Sequence, residues 1–236
     1  MQRVAFAAAF VGLVGLIAGC GSGGNSTAPI TTAATTTASP SRPPVAADAL
    51  DPLLLTPAEI GAAMAAQAEI PVAKTYTQMV NTSATKPDKN CRFTQPAEST
   101  IYANSGWNGV RSQELQEPVP NFGHHVNQAV VSFPDANGAA SFFKASGQFW
   151  PLCANHEYRV LSPGGPDKIF SMGPIDNSNG TLSTTDTLQG GDGWACQRAL
   201  TVSNNVVVDV GACATNPPPG AAINIAHQIA DKVAKL

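Results

Sequence analysis

Apolar positions along this chain fall into blocks whose spacing changes from one part to the next. From Trp194 to Cys213 the sequence reads WACQRALTVSNNVVVDVGAC, two β-rich runs flanking Asn204-Asn205. Asn tolerates positive φ, so the pair suits a two-residue hairpin turn of type I′. That register pairs Cys196 directly with Cys213 on a non-hydrogen-bonded rung, where Cα atoms lie about 4.5 Å apart and a disulfide can form. It also puts Val206, Val208, Val210, Ala199 and Thr201 on one face, the expected core face. The other face carries Leu200, Val202, Val207, Arg198, Asp209 and the cystine. Arg198 and Asp209 sit diagonally across the strands, within ion-pair reach. Two readings of that pair stay open: a surface ion pair, or polar lining of a cleft.

The rest of the pattern predicts an α+β domain. Thr56-Pro57-Ala58-Glu59 is a capping box with Pro in the first turn, and it opens a helix running to Gln67. Residues 81–89 are polar and turn-rich, a loop. Strands are expected at Cys91–Thr94, Thr100–Ala103, Gly109–Glu117, Val126–Phe133, Glu157–Ser162, Lys168–Met172 and Thr181–Leu188. Between them, Pro134-Asp135 starts a helix whose Phe142, Phe149 and Trp150 form an aromatic stripe. Such a stripe normally packs into a core, and a ligand wall is the sharper alternative. After Pro217-Pro-Pro219, Ala221–Leu236 is an amphipathic helix with Ile223, Ala226, Ile229, Ala230 and Val233 as its apolar face.

The N-terminal pattern is of another kind. Arg3 precedes an apolar run from Val4 to Ala18 that ends in Leu16-Ile17-Ala18-Gly19-Cys20. A charged start and a short apolar run make a secretory signal, too short for a membrane span. The Cys after Ala-Gly resembles a bacterial lipobox. That implies a signal peptide over residues 1–19 and an acylated Cys20 as the mature N-terminus, anchored on the outer face of the cytoplasmic membrane. The segment to residue 47 is rich in Thr, Ser, Pro and Ala with almost no charge. It reads as a disordered tether with ends roughly 30 Å apart. The folded domain is then residues 48–236.

Composition narrows the function. A charged fraction of 12% and a net charge of −3 leave no nucleic-acid footprint. Setting Cys20 aside, four cysteines remain in an oxidising compartment. The hairpin selects Cys196–Cys213, and Cys91–Cys153 follows by elimination. A four-Cys zinc site would lack any CxxC knuckle, so no metal or other cofactor is expected. Ser141-Phe-Phe-Lys144 matches S-x-x-K without its companion elements, and no G-x-S-x-G occurs. His124 and His125 would point to opposite faces of a strand, a poor metal pair. Asp176-Asn-Ser-Asn-Gly180 has the composition of a calcium loop but the spacing of a turn.

Several separated blocks carry a family resemblance: LLLTPAEIGAAM, Gly106-Trp107, VNQAVVSFPDANGAASFF, WPLC at Trp150, and GWACQRALTVSNNVVVDVGAC. Together they resemble the mycobacterial PknH-like extracellular sensor domain over essentially residues 48–236. The resemblance implies an antiparallel sheet flanked by helices, two disulfides, and a cleft for an unidentified ligand. No kinase domain is read in this chain, so signalling is expected to run through a partner protein. The leading expectation is a non-catalytic, lipid-anchored sensor of the mycobacterial cell envelope that binds a small molecule or envelope component. An envelope-acting hydrolase and a structural or protein-interaction role are the alternatives. Trp107, Gln128, Trp150, Arg198 and Asp209 are the candidate ligand residues, two bulky indoles and three polar groups set in apolar strands.

Overall fold

The computed structural model describes residues 42–236. The expected signal peptide, Cys20 and most of the expected tether lie outside the described residues. The long hairpin is the middle of the architecture. β8 (Trp194–Ser203) and β9 (Val206–Thr215) pair antiparallel in the expected register, with Cys196 opposite Cys213. Around them run β1 (Val72–Tyr76), β2 (Gly109–Gln116), β3 (His124–Ser132), β4 (Glu157–Val160), β5 (Lys168–Met172), β6 (Asp176–Ser178) and β7 (Thr181–Leu188). The sheet order is β1-β2-β3-β9-β8-β7-β5-β4, with β6 also paired to β7 and every pairing antiparallel.

Both faces of this sheet are covered, and that changes the reading of the hairpin. The face of Ala199, Val206, Val208 and Val210 packs under Leu50, Leu53–Leu55, α1 (Pro57–Ala63) and α3 (Ala221–Val233). The opposite face carries a second core, with Leu200 and Val207 against Phe93, Tyr102, Phe133 and α2 (Ala136–Phe149). Arg198 and Asp209 lie on that second face and are buried, so the pair is not on the surface. The aromatic stripe of α2 is core. Phe142 stacks on Tyr102 at 4.2 Å, and Trp150, just beyond the helix, stacks on Phe93 at 4.4 Å.

The two disulfides are Cys91–Cys153 and Cys196–Cys213, with Cα separations of 5.3 and 4.0 Å. Cys91 is not on a strand. Lys89–Thr94 forms 3-10 turns capped by Asp88, and residues 100–103 are turns as well. What organises them is a buried carboxylate. Glu98 accepts from the backbone N–H groups of Thr82, Thr100 and Ile101 at 3.0, 2.7 and 3.2 Å, and from the Thr100 hydroxyl at 2.5 Å. The chain therefore satisfies its polar groups there without a ladder.

Three further differences have local causes. The first helix has its capping box, with Glu59 N–H donating to Thr56 Oγ1 at 3.2 Å, but it stops at Ala63. Ala65 takes φ 53° and the chain folds back over Gly61, where a Cβ would stand 2.6 Å from the Ala68 carbonyl oxygen. α3 ends at Val233 and is rotated slightly from expectation. Ala222 and Ile225 join the core, and Ile223 and Ala230 flank it. At the hairpin turn Asn204 has φ 51° and Asn205 is not at positive φ, the pattern of type II′ rather than I′.

Asn205 is fully buried, and its amide explains the difference. It donates to the carbonyls of Val45 and Phe133 at 3.0 and 2.7 Å and accepts from Val45 N–H at 2.7 Å. Residues 43–47 therefore dock on the hairpin turn, ahead of the boundary expected at residue 48. Asn205→Ala leaves those three backbone groups without partners and should lower stability by about 3 kcal/mol. Urea denaturation measures this, and the N-terminal side of residue 48 should become open to proteolysis well before the domain does.

Candidate functional site

In an antiparallel sheet, residues directly opposite each other point to the same face. The pairings place Phe170, Leu188 and Trp194 in one row across β5, β7 and β8, since Thr187 faces Ala195 and Phe170 faces Leu188. Next comes Met172, Asp186, Cys196, Cys213, His125 and Gln116, a row running over six strands. Then come Thr184, Arg198, Gly211, Asn127 and Glu114. All three rows lie on the face of the second core, beyond the part that α2 covers. Apart from Met172, Thr184 and Glu114, their residues line a cleft of about 390 Å³ with the cystine in its middle.

The walls come from elements of little regular structure. The loop carrying Lys86 and Thr94–Pro96 forms one side, Tyr158 and Val160 of β4 another, and Phe122 of the β2–β3 loop stands at the mouth. Gly211 makes room for the first wall. A Cβ there would lie 3.3 Å from the Pro96 ring and 3.6 Å from the Arg198 stem. Phe122 stacks on Trp194 with centroids 5.4 Å apart and an interplanar angle of 22°.

Several groups in the cleft are electrostatically strained. Asp186 is buried and accepts a short hydrogen bond from the Tyr158 hydroxyl at Oδ2, while its Oδ1 has no partner. Desolvation raises the Asp186 pKa, against lowering by Tyr158 and Lys86, and burial beside Asp186 raises that of Tyr158. Lys86 donates to Thr94 Oγ1 at 2.6 Å, and desolvation lowers its ammonium pKa to about 8. His125 pairs with Glu114 at 3.5 Å on the β2 side. His124, pointing the other way, pairs with Glu117 at 2.6 Å. A larger groove of about 810 Å³ lies between α2 and residues 89–105. Small side chains such as Gly138, Ser141 and Ala145 line its α2 side, and Lys89, Asn90, Arg92 and Thr100 line the other.

The five residues expected from sequence do not share one cavity. Arg198 borders the cleft, but its guanidinium is engaged. It donates to Asp209 Oδ1 at 2.5 Å, to the Phe93 carbonyl at 2.9 Å and to the Val210 carbonyl, and it lies 5.4 Å from the Trp150 ring centroid. Asp209 accepts at Oδ2 from Ala97 N–H at 2.9 Å and from the Tyr102 hydroxyl at 3.0 Å. Trp150 is closed in beneath Phe93. Gln128 faces the opposite core, where its amide bonds both backbone groups of Leu55 at 2.8 Å. Trp107 is half-buried away from the cleft. The residues that do converge are Lys86, Phe122, His125, Tyr158, Asp186 and Trp194. Rung-by-rung registration of the strands would have gathered His125, Asp186 and Trp194, whereas Lys86 and Phe122 come from loops that no strand register places.

Two outcomes follow from these groups. Asp209→Ala strands a buried guanidinium and should cost about 3–5 kcal/mol in chemical denaturation, and an Arg198→Met, Asp209→Leu double variant should not restore stability, because the Phe93 carbonyl, the Ala97 N–H and the Tyr102 hydroxyl then lose their partners. Lys86 has a folded-state pKa below its unfolded value, so the unfolded chain holds the extra proton between about pH 8 and 10.5. Its contribution to stability therefore rises with pH across that window. The urea midpoint of the native protein should gain on that of Lys86→Met as pH goes from 8 to 10.5, and parallel profiles would contradict the assignment.

Comparison with known proteins agrees with this architecture. The model of a family described as PknH-like extracellular domain matches residues 45–232. The serine/threonine-protein kinase PknH of Mycobacterium bovis is 35% identical over 193 residues, covering 81% of this chain and 32% of that protein. PknH of Mycobacterium tuberculosis has the same identity and coverage of this chain, with 30% of its own length matched. The chain thus spans about a third of the length of these curated relatives. The crystal structure of the extracellular domain of PknH from Mycobacterium tuberculosis superposes with a TM-score of 0.76 at 34% identity, covering 82% of this chain and 98% of that one. The similarity supports an extracytoplasmic, sensor-like domain. On the match over residues 45–232, the shared fold and this level of identity, the chain belongs to the PknH-like extracellular domain family.

Proposed function

We propose that this protein is a lipid-anchored sensor that receives a small ligand from the cell envelope in the cleft over Cys196–Cys213. The observation that carries the reading is the unpartnered Oδ1 of Asp186, buried in the cleft floor. A buried polar atom with no partner is unfavourable, and a ligand donor supplies what the protein does not. Cleft size supports the same reading, since small-molecule sites usually begin at about 300 Å³. Phe122 and Trp194 add apolar surface at the entrance. In this reading Cys20 is the acylated residue that holds the domain at the membrane, and a separate partner protein carries the signal inward. The domain binds and does not catalyse. Among the described residues the cleft holds no Ser and no free Cys beside a base, and its Thr94 hydroxyl accepts a hydrogen bond from Lys86.

Two measurements test the proposal. Native mass spectrometry of protein purified from its own cells should show a bound small molecule that Asp186→Asn and Trp194→Ala lose. Retention of that molecule by both variants would place binding elsewhere. For the anchor, intact-mass analysis should find a mature chain beginning at Cys20 with added acyl mass, and Cys20→Ser should leave it released or unprocessed. A mature N-terminus at another residue without acyl mass would refute the anchor and leave the cleft reading intact.

A further inference from the structure

The cleft is built for a particular chemistry of ligand, an inference that rests on its being the ligand site. Its charges are largely matched within the protein: Arg198 with Asp209 at 2.5 Å, and Lys86 across from Asp186, which acts on it electrostatically, while the His125 ring lies 3.5 Å from Glu114. Lys168 stands exposed at the rim. An anion would meet the Asp186 carboxyl at the floor, and a cation would meet Lys86 and Arg198. Neither sign of charge is favoured over the other.

Polar groups along the floor and walls are mostly planar. The amides of Gln95, Gln116 and Asn127 and the imidazole of His125 line the same cleft as the Phe122–Trp194 stack. Flat amides and carboxyls hold vicinal hydroxyls well, because each offers two hydrogen-bonding sites in one plane. Aromatic rings present a negative face to the weakly positive C–H groups of a ring's apolar side. Asp186 Oδ1 adds the most specific demand. A carboxyl whose pKa is raised by burial accepts a hydrogen bond when ionised and can donate one when protonated. A hydroxyl satisfies it in either state, and an ammonium, a donor only, satisfies only the ionised one.

We propose that the cleft binds a neutral saccharide, with one hydroxyl on Asp186 Oδ1 and an apolar sugar face against the Phe122–Trp194 pair. Binding forms and breaks no covalent bond. Asp186 at the floor sets the depth of the sugar, and the aromatic pair sets its tilt at the mouth.

The test is titration of the purified full chain with maltotriose, cellotriose, mannotriose and xylotriose. Tryptophan fluorescence and amide chemical shifts are both read, up to about 10 mM sugar. At least one trisaccharide should saturate, with shifts at Trp194, His125 and Asp186. Asp186→Asn should weaken it about tenfold or more, since the amide offers a fixed donor or acceptor in place of an adaptable carboxyl. Phe122→Ala, an exposed change at a loop, should weaken it comparably without moving the melting temperature. It serves as the check should Asp186→Asn lose its fold. Choline and inorganic phosphate are titrated in parallel. If either of those shifts the Trp194 and Asp186 signals and no trisaccharide does, the saccharide is wrong and the cleft remains the ligand site. If none of the six probes moves these residues and native mass spectrometry finds the cleft empty, both readings fail. Sugar binding that leaves the cleft residues unshifted overturns this proposal alone.

Discussion

A buried ion pair holds the half of the molecule that has little secondary structure of its own. Arg198 and Asp209 sit on adjacent strands at the centre of the sheet, each 2–3% exposed. Their mutual bond uses only part of their capacity. Apart from one bond to the Val210 carbonyl, the remaining contacts go to the Phe93 carbonyl, the Ala97 N–H and the Tyr102 hydroxyl, all on the irregular stretch that covers the sheet. Removing two charges from water is expensive, and attraction between them only roughly offsets that. The pair is therefore better understood as fixing position than as adding stability. It defines where the covering segment must lie, and Cys91–Cys153 then ties that segment to the end of α2.

Glu98 performs the complementary task from the other side. Its carboxylate collects the backbone N–H groups of Thr100 and Ile101 nearby and of Thr82 on the preceding loop, and so replaces the ladder that a strand would have supplied. The cleft exists because this arrangement stops short of the sheet's far rows. Covered by α2 and the pinned segment at one end, the sheet is left open over Asp186, Cys196, Cys213 and His125.

The hairpin register was legible in the sequence because a two-residue turn and a Cys on each strand over-determine it. The same holds for α1's capping box and for the strands at 168–172 and 181–188. β1 was missed because Val72–Tyr76 is an edge strand, exposed along nearly its whole length, and so has no alternation to read. Cys91–Thr94 and Thr100–Ala103 have strand-like composition, but disulfide, Asp88 and Glu98 chemistry overrides it. The five candidate site residues were chosen for being large or polar within apolar runs. In Gln128, Trp150 and Asp209 that property reflects internal hydrogen bonding and stacking. The cleft residues stand out in no single run, since those on strands meet only through pairing across seven of them, and Lys86 and Phe122 arrive on loops.

Asn205 gives the sheet a direction. Its amide grips Val45 at the turn end of β8 and β9, and the Asn204 side chain donates to the Pro43 carbonyl at 2.7 Å beside it. The cystine row lies seven residues further along the same two strands, about 23 Å away at the usual rise per residue. The chain thus enters at one pole of the domain and the cleft opens toward the other. Whatever holds the N-terminal side leaves the cleft mouth unobstructed, and tension along the entering chain would load Asn205 first, with the long axis of the hairpin between that pull and the cleft.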